Sequence, residues 1–227
     1  MSLTTRVALV EDHALLAEAL LVSLSPEGFD VTGVRLPARP EDQPALLSSI
    51  LSLSPRVVLL DLDLGPAGDG GQLIQPLARS GCRVVVLTAW SDPVRWGACL
   101  AAGALTVLTK STPLQGIVEV IQRVDQGLPV MSRARRDELV GLWREARTDD
   151  DDRRTRLERL TPREAHVLGE LIHGKRVREV AREAFVSEAT VRTHVKSILA
   201  KLGVSSQLAA VALARDAGWR SPVGSDR

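Results

Sequence analysis

The chain has 227 residues, of which 44% are hydrophobic, and a formal net charge of +1, so it has enough apolar residues for one or two packed domains. No apolar run approaches the roughly 18 residues that a membrane-spanning helix needs, and no signal peptide precedes the first one. Cys82 and Cys99 are too few for a disulfide framework or a zinc site, and we interpret them as reduced core thiols. We therefore expect a cytoplasmic protein without a membrane partner.

The small net charge hides an asymmetry between two parts of the chain. Residues 1–152 contain 20 acidic and 14 basic side chains, whereas residues 153–220 contain 7 acidic and 14 basic ones. An acidic first part and a basic second part predict two domains, the second suited to a polyanion. We expect a first domain over residues 1–128, a linker over 129–158, a second domain over 159–220 and a disordered tail over 221–227.

Short apolar runs alternate with helical patterns through the first domain. The predicted strands are residues 6–10, 29–34, 57–60, 83–87 and 104–108. The predicted helices are residues 14–24, 44–53, 71–79, 93–102 and 113–126. This alternation predicts an α/β fold with a doubly wound, five-stranded parallel sheet, whose sites form at the carboxyl ends of the strands.

Polar side chains stand at those strand ends. Glu11 and Asp12 follow the first strand, Asp61 the third, Thr88 the fourth and Lys110 the fifth. Three carboxylates at one sheet edge repel each other unless a hard cation lies among them, and Mg²⁺ prefers such oxygen ligands. With the cation bound, Asp61 could attack phosphorus and form an acyl phosphate, to which Lys110 and the Thr88 hydroxyl could donate hydrogen bonds.

This arrangement resembles the receiver domain of two-component response regulators, over about residues 5–128. By that resemblance Glu11, Asp12 and Asp61 bind the metal, and Asp61 accepts a phosphoryl group from a partner histidine kinase. The resemblance also makes Thr88 the switch hydroxyl and Lys110 the sensing lysine. Taken singly, each of these side chains has an ordinary structural explanation, as a helix cap, a turn former or a solvated lysine. Their order on successive strand ends favours the receiver.

Two departures from the receiver pattern leave alternatives open. The loop after the third strand is about one residue longer than usual, which makes Asp63 a rival phosphoacceptor. Val107 stands where the family has its switch aromatic residue, three positions before Lys110, and valine cannot make the large rotation of an aromatic ring. One alternative is therefore a receiver that is not phosphorylated and serves as a dimerisation or ligand-binding module.

A more remote alternative comes from the spacing of Asp61 and Asp63. The Asp-x-Asp pair at a strand end also resembles that of haloacid-dehalogenase-type phosphatases. In that family the pair ends the first strand, whereas here it ends the third predicted one. We expect a protein that is not an enzyme, and an assay on a generic phosphate ester would discriminate between the two interpretations.

The second domain carries clear helix signals. Thr161, Pro162 and Glu164 have the spacing of a capping box with proline at the first helical position, and Ser187 marks a second helix start. Predicted helices over residues 177–184, 188–201 and 207–216 follow the first one, with Gly203 as a C-cap. In the helix over 188–201, the apolar residues fall on one face: Val191, Val195, Ile198 and, just beyond it, Leu202. This pattern predicts a small all-α domain with a helix-turn-helix motif.

This stretch resembles the LuxR-type (NarL/FixJ) DNA-binding domain in the order and spacing of its motif residues. They are Leu160 to Glu164, Glu179 to Ala181, Val186 and Ser187, Thr190 and Val191, His194 and Val195, Ile198, and Lys201 to Val204. The resemblance implies a transcription regulator that binds double-stranded DNA as a homodimer. The departures are Arg176 before the first helix of the motif, which removes its expected cap, and Gln207 in place of an arginine.

Specific residues of the helix-turn-helix are predicted to contact DNA. Thr193 and Lys196 project from the face opposite the apolar one, with Arg192 on its flank, and we expect these three to face the major groove. Nearer the phosphates we expect Ser187, Thr190 and Lys201.

The linker is predicted to be part helical and part mobile. Residues 133–147 are compatible with a helix, and the four acidic residues 149–152 are expected to stay solvated and mobile. The run is interpreted as a passive tether or, alternatively, as a competitor of DNA for the basic domain. All four tryptophans are interpreted as packing residues: Trp90, Trp96, Trp143 and Trp219.

Overall fold

The computed structural model describes residues 4–221, and the chain forms two compact units, Met1–Arg144 and Glu145–Arg227. The division falls inside the stretch predicted as a linker. The predicted disordered tail, apart from Ser221, lies outside the described residues.

Five parallel strands form the sheet of the first unit, in the order β2-β1-β3-β4-β5. The strands are β1 (Thr5–Val10), β2 (Phe29–Gly33), β3 (Val57–Asp61), β4 (Arg83–Thr88) and β5 (Thr106–Thr109). Every residue of the central strand β3 is buried, as expected for a strand covered on both faces. The predicted five-stranded parallel sheet is confirmed, with strand ends within two residues of the prediction.

Helices cover both faces of this sheet. They are α1 (Ala14–Leu24), α2 (Gln43–Ser52), α3 (Gly71–Arg79), α4 (Pro93–Ala102) and α5 (Leu114–Asp125), with 3-10 turns at Pro40–Asp42 and Gly65–Ala67. Apolar residues of α1 and α5 share one core with the sheet, and those of α2, α3 and α4 share the other. Cys82 and Cys99 are free and buried, as predicted.

The longest helix, α6 (Arg133–Glu158), continues through the acidic run. Residues 149–152 are exposed, as predicted, but they are part of a regular helix and not of an irregular linker. Arginines one turn away compensate the acids: Arg153 lies 2.8 Å from Asp150, and Arg147 lies 4.0 Å from Asp151. Such pairs at helical spacing each stabilise a helix by about 0.2–0.5 kcal/mol, whereas unpaired like charges destabilise it.

Within the first unit, α6 packs closely on α4. Leu139 is fully buried in the core that also contains Cys99 and Leu100. A Cβ atom on Gly97 of α4 would lie 2.0 Å from the carbonyl oxygen of Leu139 and 2.8 Å from Cβ of Trp143, so only glycine fits there. The two helix backbones therefore touch at this point.

The second unit is a small helical domain. Its helices are α7 (Pro162–Ile172), α8 (Val177–Glu183), α9 (Glu188–Leu202) and α10 (Gln207–Asp216). Their apolar faces share one core with Leu157 from the end of α6. The helix signals are confirmed: Thr161 and Glu164 form the predicted capping box, and the Ser187 hydroxyl accepts a hydrogen bond from the Thr190 amide at 3.1 Å. Gly203 ends α9 in the left-handed conformation, at a φ of 68°.

Among residues 4–221, no single helix is both long and apolar enough to cross a membrane. One bent pair, α9 with α10, passes a test of length and composition alone.

Candidate functional site

An acidic pocket forms at the carboxyl edge of the sheet. The strand register pairs Val10 of β1 with Leu60 of β3, so Glu11 and Asp61 follow neighbouring positions at the same edge. One potential ligand atom from each of Glu11, Asp12, His13 and Asp61 lies within 4.8 Å of the others. The structure thus brings together the three carboxylates that the sequence singled out. His13, which precedes α1, was not assigned to this cluster by sequence reasoning.

Lys110 reaches into the pocket from the end of β5. Its Nζ atom lies 2.7 Å from Oε1 of Glu11 and 2.6 Å from Oδ2 of Asp61. Burial alone would lower the pKa of Lys110, but the hydrogen bonds that its ammonium group donates to Asp61 and Glu11 raise it instead. The ammonium group therefore stays charged and links the carboxylates of two strands.

Asp61 is almost fully buried, with 1% of its surface exposed. Burial raises the pKa of Asp61 to about 6; the hydrogen bond from Lys110 opposes this shift, and the nearby charge of Glu11 adds to it. At pH 7 Asp61 is therefore ionised in most molecules, although its carboxylate is poorly solvated. These are the conditions under which a carboxylate can act as a nucleophile.

The longer loop after β3 directs Asp63 away from this pocket. Asp63 is exposed, and its side chain accepts a hydrogen bond from the Gly65 amide at 3.1 Å. The buried side chain of Gln43 holds the loop by donating to the carbonyl oxygens of Ala67, at 3.0 Å, and Asp69, at 3.1 Å. Sequence reasoning missed Gln43, because nothing in its local pattern marks a loop 24 residues away.

The acidic cluster could bind a metal ion, and its chemistry suits a hard one. Oε2 of Glu11 is buried and has no hydrogen-bond partner among residues 4–221. A buried carboxylate oxygen without a donor is costly, so it favours a cation at that position. The three carboxylates offer only oxygen atoms, the donors that Mg²⁺ prefers.

Thr88 ends β4 beside the pocket and is almost fully buried. Its hydroxyl oxygen accepts a hydrogen bond from the backbone amide of Trp90 at 3.1 Å. Val107, at the position of the missing aromatic residue, is buried in the core. Trp96 packs against that core, but Trp90 is 59% exposed, so its interpretation as a packing residue is wrong.

The second candidate surface is the outer face of α9. Val191, Ile198 and Leu202 are buried and Val195 is half-buried, as the periodicity predicts. On the other side of the helix, all three predicted groove residues are exposed: Arg192, Thr193 and Lys196. Arg192 lies 3.4 Å from Glu188 in an exposed ion pair, which contributes little to stability and leaves the guanidinium available.

The residues predicted to lie near phosphates have different environments. Ser187 and Thr190 are exposed at the start of α9, where their hydroxyl oxygens lie 2.9 Å apart. Lys201, by contrast, lies 2.6 Å from Oε2 of Glu164 and donates to the carbonyl oxygen of Arg159 at 3.1 Å. Its phosphate contact stays a prediction, and sequence reasoning missed its partner.

Glu164 connects the start of α7 with the far end of α9. Its carboxylate accepts hydrogen bonds from the Thr161 amide at 2.7 Å, the Ser197 hydroxyl at 2.5 Å and the Lys201 ammonium at 2.6 Å. Burial alone would raise its pKa, but these hydrogen bonds lower it to about 2. The capping box was visible in the sequence, whereas its second role in holding α9 was not.

The helix before the turn compensates for its missing cap. The Arg176 side chain carries only donors and cannot accept a hydrogen bond from the first turn of α8, as expected from the sequence. The Arg176 amide instead donates to Oε2 of Glu179 at 2.7 Å, which is one half of a capping box. The departure at Arg176 therefore leaves α8 intact at Val177–Glu183.

Comparisons with known proteins agree with this architecture. The family model for the response regulator receiver domain matches residues 7–122, and that for bacterial regulatory proteins of the luxR family matches residues 158–214. A nitrate/nitrite response regulator protein homolog from Haemophilus influenzae is 31% identical over 212 residues, covering 92% of this chain and 95% of the relative. A probable transcriptional regulatory protein NarL from Mycobacterium tuberculosis is 31% identical over 210 residues, covering 91% and 92%.

Solved structures show the same fold. The response regulator RcsB in complex with DNA has a TM-score of 0.50 and 23% sequence identity, covering 94% of this chain and 98% of that one. At this level of identity the likeness supports the fold alone. The two family matches and the full-length relatives together show that the chain belongs to the NarL/LuxR-type DNA-binding response regulators.

Proposed function

We propose that phosphorylation of Asp61 by a partner histidine kinase controls the binding of this protein to its DNA sites, and thereby transcription. The observation that carries the proposal is the buried Asp61 carboxylate, hydrogen-bonded to Lys110 beside Glu11 and Asp12. An ion pair with only a structural role would need one acid and one base, whereas Lys110 lies among several carboxylates. The additional buried oxygen of Glu11, which has no hydrogen-bond donor among residues 4–221, is better explained by a bound cation.

The chemistry follows from the positions of these side chains. An Asp61 carboxylate oxygen attacks the phosphorus of a phosphohistidine, the P–N bond breaks, and the new P–O bond makes an acyl phosphate. Mg²⁺, held by Glu11, Asp12 and Asp61, would neutralise the negative charge of the phosphoryl oxygens. Lys110 keeps its positive charge and can transfer a hydrogen bond from Asp61 to a phosphoryl oxygen. Thr88 supplies a hydroxyl at the neighbouring strand end.

The output is carried by the second unit. We propose that α9 enters the major groove and that Arg192, Thr193 and Lys196 contact base edges there, because they are exposed opposite the buried face. Ser187 and Thr190, at the N-terminus of the same helix, are suited to a phosphate. Two copies would read half-sites about one helical turn apart. We assign the protein to the cytoplasm, where the kinase and the DNA are both accessible.

The phosphoacceptor can be tested by mass spectrometry. The wild-type protein, incubated with acetyl phosphate and Mg²⁺, should gain the mass of one phosphoryl group. Asp61→Asn should gain none, because an amide is a poor nucleophile. Asp63→Asn is the matched control and should be labelled like the wild type, since its side chain caps a turn. Labelling of Asp61→Asn but not of Asp63→Asn would reverse the assignment.

A second candidate function is favoured by Val107. Because valine replaces the switch aromatic residue, the receiver could act without phosphorylation, as a dimerisation or ligand-binding module. In that case the wild type would not be labelled, and DNA affinity would not respond to acetyl phosphate. The phosphatase alternative has less support, because Asp63 faces the loop and lies outside the acidic cluster. Turnover of a generic phosphate ester would be its evidence.

A further inference from the structure

We infer that Trp90 and Trp96 couple the Thr88 hydroxyl to helix α4, and through α4 to α6, in place of the aromatic residue missing at Val107. The inference rests on the proposed phosphorylation of Asp61. It names the contacts through which phosphorylation would change the structure outside the acidic pocket. Three consecutive contacts within the first unit carry it.

The first contact is the hydrogen bond from the Trp90 amide to the Thr88 hydroxyl oxygen, at 3.1 Å. A threonine hydroxyl changes position by rotating about χ1 between discrete wells. If Thr88 turns its hydroxyl toward a phosphoryl group on Asp61, Oγ1 moves away and the Trp90 amide loses its acceptor. The Trp90 amide then has to find another acceptor, and the backbone at Trp90, which lies in an exposed segment, can adjust to do so.

The second contact passes that adjustment to α4. The carbonyl oxygen of Trp90 accepts a hydrogen bond from the indole Nε1–H of Trp96 at 3.0 Å. Residues 89–94 are all exposed, so little packing holds this segment in place. The ring of Trp96, in contrast, packs against the buried core of the first unit. A movement of the Trp90 carbonyl therefore displaces the hydrogen-bond acceptor of Trp96, a side chain of α4.

The third contact joins α4 to α6. Gly97, next to Trp96, lies so close to Leu139 that a single methyl group would overlap the Leu139 carbonyl oxygen. Arg136 of α6 also donates to the carbonyl oxygen of Leu100 at 2.8 Å. Because the two helices touch at the backbone and are joined by this hydrogen bond, α4 cannot shift alone. Helix α6 continues to Glu158, into the second unit.

The test separates binding of a phosphoryl mimic from its effect on DNA. Trp96→Phe keeps an aromatic ring on α4 but removes the Nε1–H donor. Trp90→Phe is the matched control, because the relay uses only its backbone atoms. For each full-length protein, ¹⁹F NMR measures beryllofluoride binding in Mg²⁺, and fluorescence anisotropy measures affinity for an operator fragment selected with the wild type.

We expect the wild type and Trp90→Phe to bind beryllofluoride and to tighten on DNA by on the order of tenfold, the usual range of allosteric coupling. Trp96→Phe should bind beryllofluoride equally well but tighten by less than about threefold. Equal tightening of Trp96→Phe and wild type would overturn the relay. Absence of beryllofluoride binding by the wild type would overturn the proposed function itself, and the relay with it.

A second measurement follows the relay in the wild-type protein itself. In the wild type, the indole N–H resonance of Trp96, assigned by its loss in Trp96→Phe, should shift when beryllofluoride is added. A resonance that stays unchanged while beryllofluoride binds would contradict the relay.

Discussion

At the scale of single residues, Glu164 has the largest structural role in the DNA-binding unit. It caps α7 and also accepts hydrogen bonds from Ser197 and Lys201 of α9, so one buried carboxylate fixes two helices relative to each other. Because the residues that we propose to contact bases lie on α9, the position of this helix decides whether they reach the DNA.

Glu164→Gln should destabilise this unit by about 1–3 kcal/mol, because the neutral amide weakens the hydrogen bonds that the carboxylate accepts from Ser197 and Lys201. The measurement is urea unfolding of the full-length chain. Glu179→Gln, which removes the charge from an exposed capping residue of α8 but keeps an acceptor oxygen, is the control and should have a much smaller effect. Equal effects of the two substitutions would contradict this role of Glu164.

The same residue predicts a pH dependence of stability. The pKa of Glu164 is lowered from 4.5 to about 2 in the folded protein, so between these values the unfolded chain binds more protons. Stability from Glu164 is therefore fully present above about pH 4.5 and is lost as the pH falls toward 2. Between about pH 5 and pH 2, the free energy of unfolding should decrease less steeply for Glu164→Gln than for the wild type. Parallel curves would argue against the low pKa.

Two lysines of α9 should behave differently when replaced. Lys196→Ala should reduce discrimination between operator and random DNA by about 1–3 kcal/mol, because its side chain is exposed on the groove-facing side. Lys201→Ala should mainly lower stability, because its ammonium group pairs with Glu164. Anisotropy titrations on both DNAs, alongside urea unfolding, distinguish these effects. Loss of base discrimination in Lys201→Ala at unchanged stability would reverse the two roles.

At the scale of elements, the contact between α4 and α6 depends on Gly97. Gly97→Ala should force the helices apart and lower the melting temperature of the full-length protein, since the added methyl group meets backbone atoms that cannot rotate away. Gly141→Ala on α6 is the matched control: no atom lies within 4 Å of its added Cβ, so alanine should be neutral or stabilising. A melting temperature unchanged in Gly97→Ala would contradict the close contact.

Local signals explain which elements could be predicted from the sequence. Apolar runs and helical periodicity specified the sheet, and cap residues such as Thr161 and Ser187 specified helix starts. The acidic part of α6 was not predicted as a helix, because a run of like charges argues against a helix unless arginines at the right spacing are counted with it. Within the site, strand ends located Glu11, Asp61 and Lys110.

Long-range contacts could not be predicted in the same way. Gln43 with the loop after β3 and Glu164 with Lys201 are pairs far apart in the chain, and no local pattern marks either one. The link between Trp90 and Trp96 is local, but it runs through a backbone carbonyl and therefore leaves no signature in side-chain type.

At the scale of the whole molecule, acidic and basic charges lie on different parts of the chain. The proposed phosphoacceptor lies in the first unit, in a pocket where the Lys110 ammonium group lies between carboxylates. The proposed DNA-binding surface lies in the second unit, within the basic stretch of residues 153–220. The chain therefore combines a receiver domain with a DNA-binding domain. We propose that phosphorylation of the receiver domain changes the DNA affinity of the second domain.

The most direct test of that claim is DNA affinity and oligomeric mass of the full-length protein, with and without Mg²⁺ and beryllofluoride, for wild type and Asp61→Ala. We predict that the wild type dimerises or binds operator DNA more tightly with beryllofluoride, and that Asp61→Ala does not respond. If both proteins bind DNA equally well under every condition, Asp61 is not the switch, and the receiver controls the DNA-binding unit in some other way.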